Sequence, residues 1–113
     1  MEFLLSLILM QAVGPVVGNA SFLAWDYAHG IEDEFRVYCG ADPGVVPSEI
    51  PVAKVPSSSL QWPISGLSGQ QHCVVTAFDA GADVESGPSN EVAFFVLAAP
   101  GGARIVVSPG SEN

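Results

Sequence analysis

Two histidines, two cysteines and twelve carboxylates are the groups in this 113-residue sequence that could do acid–base, ligating or redox chemistry. A histidine needs only a neighbouring carboxylate or thiol to become a general base or a metal ligand, so His29 and His72 are the first candidates. Their settings do not support that role. His29 sits in a glycine-containing acidic stretch, and strand alternation turns His72 away from its neighbour Cys73. Serines recur along the chain, but none occupies the strand–turn–helix elbow that exposes a nucleophile. No catalytic residue is assigned. Two cysteines are too few for a four-thiolate zinc site or for a miniprotein held by several disulfides. The acids gather in two loops, Glu32, Asp33 and Glu34 in one, Asp79, Asp83 and Glu85 in the other. Loop carboxylates can hold calcium, yet neither set has the twelve-residue pattern with its internal glycine and terminal glutamate. Solvated loop tips account for both, and no metal or cofactor is expected.

The charge balance narrows the partners. Twelve acids against three bases give a formal charge of −9. Arg36, Lys54 and Arg104 form no patch in the sequence, which argues against nucleic acid and against anionic lipid head groups. With 49% hydrophobic and only 13% charged residues, the chain has the apolar content of a folded domain and not of an acidic disordered tail. Twelve glycines and nine prolines interrupt it too often for a helical bundle. An all-β domain remains.

The elements that must position these residues follow from alternation and turn signals. Residues 21–27 alternate with Leu23 and Trp25 on one face, and residues 35–39 do so with Phe35, Val37 and Cys39 together. A weaker strand is predicted at 50–55. Residues 57–64 give another, with Leu60, Trp62 and Ile64 on one face, and Pro63 consigns it to a sheet edge. Residues 71–78 form the strongest strand, with Cys73, Val75 and Ala77 on one side. Residues 79–86 read as a loop and 90–97 as the sixth strand, in which one of Phe94 and Phe95 must face outward.

Ahead of these lies an apolar leader, residues 1–20. Residues 3–18 carry only Ser6 and Gln11 as polar side chains, and as a helix they would span about 24 Å, short of a bilayer core. Gly18-Asn19-Ala20 is a small-x-small cleavage site, although no Lys or Arg precedes the run. The leader reads either as a signal peptide or as a retained anchor or arm, covered by a bilayer, a neighbouring subunit or the domain's own sheet. Residues 98–113 form a flexible tail with one β-prone run, residues 103–108.

Leu23-Ala24-Trp25-Asp26, Phe35-Arg36-Val37-Tyr38, Gly66-Leu67, Val75-Thr76-Ala77-Phe78-Asp79 and Glu85-Ser86-Gly87-Pro88-Ser89-Asn90-Glu91 follow in an order and spacing that resemble a fibronectin type III domain over residues 21–97. The resemblance extends to small bacterial and phage-encoded proteins of this kind. It implies an immunoglobulin-like antiparallel β-sandwich, with Trp25, Phe35, Val37, Trp62, Ile64, Leu67, Val75 and Ala77 in the core. Gln71 stands where the family has its corner tyrosine, and the family's first strand has no clear counterpart. The resemblance also makes the strands of Cys39 and Cys73 neighbours in one sheet. In an oxidising compartment they would close a disulfide; the alternative is two buried thiols acting as small hydrophobes.

The function implied is non-enzymatic: a structural or adhesion module on a phage virion, as a decoration or tail-associated protein, or on a bacterial envelope. It would be present in many copies, with neighbouring protein subunits as partners and a host-surface glycan as a further possible ligand. The alternative is a secreted or periplasmic accessory domain that binds a soluble protein or a glycan. The unused strand 103–108 is expected to pair with a sheet edge, within one chain or between neighbours.

Overall fold

A computed structural model of the chain describes residues 14–28, 34–48 and 50–108. His29, Glu32, Asp33, most of the leader and residues 109–113 lie outside the described residues. Eight strands and no helix make up the described part: β1 (Val16–Gly18), β2 (Phe22–Ala24), β3 (Glu34–Gly40), β4 (Ala53–Pro56), β5 (Gln61–Pro63), β6 (Gly69–Asp79), β7 (Val84–Glu85) and β8 (Val92–Leu97). Six strands form one sheet in the order β1-β8-β6-β3-β4, with β7 pairing beside β6. The remaining two, β2 and β5, form a sheet of their own.

Alternation explains the core between them. Phe35 and Val37 of β3, Val75 and Ala77 of β6, and Phe94 and Val96 of β8 face inward and are buried with Leu23 and Ile64. Phe95 consequently faces outward and is half-buried. Trp25, Trp62 and Leu67 pack against this cluster but stay half-buried. The reason is the narrowness of the second sheet. Its two strands have three residues each, and Trp25 lies one residue past the end of β2.

Three features depart from the sequence reading. The sandwich does not lack its first strand: Val16–Gly18, at the end of the apolar run, pairs in parallel with β8. The sheet therefore takes in residues upstream of 21. Gly14 admits this turn, with φ +83° and its α-carbon packed so closely that an added Cβ would lie 2.0 Å from the Ala93 carbonyl oxygen. Residues 57–64 are a strand only over 61–63, because Ser59 closes a turn by donating its backbone N–H to the Pro56 carbonyl (2.9 Å). The loop 79–86 contains the two-residue β7. Pro63 does sit on an edge, since both strands of a two-stranded sheet are edges.

β6 is buried on both faces. Its outward residues His72, Val74 and Thr76 are as enclosed as its inward ones. Glu91 lies beside His72 and, through Oε1, accepts the backbone N–H groups of Gly44 and Val45 at 2.9 Å each, while Glu85 caps Thr76.

Candidate functional site

Cys39 and Cys73 are direct cross-strand partners of β3 and β6 and form a disulfide, with α-carbons 4.2 Å apart. That separation suits the closer of the two antiparallel pair types, where the side chains approach without intervening ladder bonds. The alternative of two free thiols is thereby answered. Gln71, in the corner position, donates its side-chain N–H to the Ser68 carbonyl at 2.8 Å. A backbone hydrogen bond three residues upstream is thus made without the tyrosine.

The outward face of the large sheet carries a polar network. Glu85 accepts from the Tyr38 hydroxyl and from Thr76 Oγ1 (2.6 Å), and Arg36 lies between Glu34 (2.7 Å) and Glu85 (3.7 Å). The guanidinium also stacks over Phe78, 3.6 Å from the ring centre. Burial, then the Glu85 carboxylate, raises the Tyr38 pKa; the hydrogen bond to Glu34 leads the causes that raise Arg36. All these groups are satisfied by one another, so the network ties β3, β6 and β7 together and presents no reactive group.

The candidate chemistry disperses. His72 does point away from Cys73, and its Nδ1 lies 3.2 Å from Glu91 Oε2 without the geometry of a hydrogen bond. Glu91 is held below the usual carboxylate range, chiefly by the Val45 N–H, with Gly44 and His72 adding to it against a smaller opposing effect of burial. Asp79 accepts the Gly81 N–H at 3.0 Å, Asp83 occupies a left-handed turn at φ +56°, and Glu85 is committed to the network. Among the described residues, no three His, Cys, Asp or Glu side chains are grouped as a metal site.

Among the described residues, cavities open at the end of the sandwich and between the sheets. At one end of the sandwich, cavities of about 340 and 200 Å³ share Tyr27, Ala77 and Ser86 as lining, with Trp25 and Phe35 behind them. Phe35 makes edge contacts to Trp25 (5.4 Å) and Tyr27 (5.3 Å). The second opening is a seam between the two sheets along β2. Its cavities of about 240 and 260 Å³ both take in Leu23, Ala24 and Val92, and they extend from Pro15 at one end to Ser89 at the other. Phe22, 55% exposed, borders it.

Among the described residues the β2 edge beside this seam is unpaired. Trp25 donates its N–H to Leu60, and Ile64 donates to Ser21. Residues 21, 23 and 25 therefore face β5, and the N–H and C=O groups of Phe22 and Ala24 point the other way, where no described strand lies. The tail that sequence reasoning set aside for such an edge belongs to no strand over residues 98–108, and Ile105, Val106 and Val107 are 89%, 76% and 67% exposed.

Comparison with known proteins bears on the fold alone. Among solved structures, one described as "Structures of Clostridium thermocellum CbhA fibronectin(III)-like modules" superposes with a TM-score of 0.51 at 15% identity, covering 80% of this chain and 95% of that one. No family model matches the chain, and no curated protein matches it in sequence. The protein is a fibronectin type III-like β-sandwich. Its internal disulfide fits an extracellular or secreted setting.

Proposed function

We propose that this chain is a non-enzymatic structural and adhesion module, displayed in many copies on an exposed surface, a phage virion or a bacterial envelope. Its partners are neighbouring protein subunits. The observation that carries this reading is the incomplete second sheet. Among the described residues, a two-strand sheet beside a six-strand one leaves a free backbone edge over an apolar seam, which is a ready site for pairing with another chain. The acidic charge of −9 keeps such a surface from indiscriminate association. Fractionation of the producing cells tests it. Recovery of the protein in particles or envelope, with the disulfide formed, supports the proposal; recovery as a free soluble protein in the secreted or periplasmic fraction contradicts it.

The alternative, a secreted or periplasmic accessory domain for a soluble protein or a glycan, draws on the other opening. Trp25, Tyr27 and Phe35 give it an aromatic floor, and Asp26 and Asp79 supply carboxylates at its rim. Aromatic rings with nearby hydrogen-bonding groups suit a sugar or an extended peptide. Saturable binding of an oligosaccharide that is lost on Tyr27→Ala favours this second reading.

A further inference from the structure

We infer that residues 103–108 of a second copy of this chain add to the free edge of β2 as an antiparallel strand, with Arg104 opposite Asp26, Val106 opposite Ala24 and Ser108 opposite Phe22. The inference rests on the display reading above and names its self-partner. Cross-strand partners share a face of the sheet. This register therefore sends Ile105 and Val107 inward beside Trp25 and Leu23, over the seam, and leaves Arg104 and Val106 on the outer face. It also matches the open backbone groups, because Phe22 and Ala24 are the β2 residues that point away from β5.

Charge selects this direction. Arg104 is one of only three basic residues in a chain with twelve acids, and among the described residues its side chain donates to the Gly102 carbonyl at 3.3 Å. Asp26 is exposed at the far end of the β2 edge. Only the antiparallel alignment brings these two charges together while Ile105 and Val107 face the seam.

Reach selects a second copy over the chain's own tail. Ser21 donates to Gly18, which is in register with Leu97, so the start of β2 lies at the Leu97 end of β8. Asp26 lies at the other end, lining the seam with Ser89 and Asn90. Arg104 of the same chain would have to travel back roughly 23 Å along β8 and also cross the roughly 10 Å between sheets. The seven steps from Leu97 to Arg104 span at most about 25 Å when fully extended. The left-handed Gly102, at φ +68°, removes that last slack. A neighbouring molecule has no such limit.

Light scattering of the full, disulfide-bonded chain against concentration tests the inference, with four variants. Ile105→Asp/Val107→Asp changes side chains exposed in the monomer and is expected to abolish self-association. Asp26→Arg and Arg104→Asp are each expected to weaken it roughly fivefold, as removal and reversal of one partly exposed ion pair would. The charge-swapped double variant is expected to return to within about twofold of the parent. Association that survives Ile105→Asp/Val107→Asp overturns the docking, pointing to the leader or another surface, and leaves the display reading standing. Single reversals that have no effect overturn the register. A parent chain that is monomeric throughout overturns the docking, while the display reading is still judged on its own by fractionation.

Discussion

Removing the Cys39–Cys73 bond is expected to cost about 4 kcal/mol. The bond joins residues 34 apart in sequence, and cross-linking a loop of that size removes chain entropy from the unfolded state worth about this much at 25 °C. Little is lost from the folded side, because β3 and β6 remain paired over seven positions and Phe35, Val37 and Val75 remain buried around the site. Against the ~5–15 kcal/mol typical of a domain, the loss is large. It corresponds to a fall in Tm of roughly 15–30 °C. Urea unfolding of the oxidised chain and of Cys39→Ala/Cys73→Ala measures it, and the variant adds about 1 kcal/mol for the two missing sulfurs. The slope against urea should also be steeper in the variant, because its unfolded state expands further. A gap below about 1 kcal/mol with equal slopes would refute the reasoning, since the bond would then constrain nothing that the unfolded chain explores.

Three further outcomes follow from local geometry. Gly14→Ala should strip β1 from β8 and lower stability by about 2 kcal/mol or more, since its Cβ would strike the Ala93 carbonyl in a left-handed backbone; no change in melting would show that residues 14–18 do not belong to the folded protein. Glu85→Ala should cost about 2–3 kcal/mol, because Tyr38 and Thr76 lose their shared acceptor and Arg36 one of its two carboxylates, and the melting temperature reports it. Glu91 has a depressed pKa, so its contribution is fully present above the ordinary value of 4.5 and is lost as pH falls through the lower folded value. Protection of the Gly44 and Val45 amides, corrected for intrinsic exchange, should fall in the parent as pH drops through the depressed Glu91 value, and Glu91→Gln should remove that pH dependence.

Much of the fold was legible because its central strands are long and alternate cleanly. β3 and β6 carry Phe35, Val37, Val75 and Ala77 at period two, and the strand neighbours implied by the resemblance put Cys39 opposite Cys73. What alternation cannot show is a strand covered on both sides. The second cover comes from distant residues, Glu91 beside His72 and Glu85 on Thr76 and Tyr38, and no local pattern reports it. β1 was obscured for another reason. An apolar run ending Val16-Val17-Gly18 has the composition of a leader as much as of a buried strand, and its parallel pairing with β8 is a tertiary choice. Gln71 shows the same limit at one residue: its position was legible, while its hydrogen bond to Ser68 depends on a turn that only the fold defines. Of the candidate site, the β-prone run at residues 103–108 could be read directly, although it pairs with no strand among the described residues. An unpaired edge on the Trp25 strand follows from the missing counterpart of the family's first strand, and among the described residues that edge is open; what the sequence did not show is that residues 16–18 join the large sheet instead.

Docking of residues 103–108 of a second copy on the β2 edge that no described strand covers carries a residue-specific signature. Amide hydrogen exchange at Phe22 and Ala24, measured on the oxidised full chain at low and at high protein concentration, tests it most directly. These two amides are expected to become protected as concentration rises, together with those of Arg104, Val106 and Ser108, which the register turns toward β2, while Leu23 and Trp25, which face β5, and Ile105 and Val107, which point away, change little. Exchange at Phe22 and Ala24 that is the same at both concentrations would contradict it.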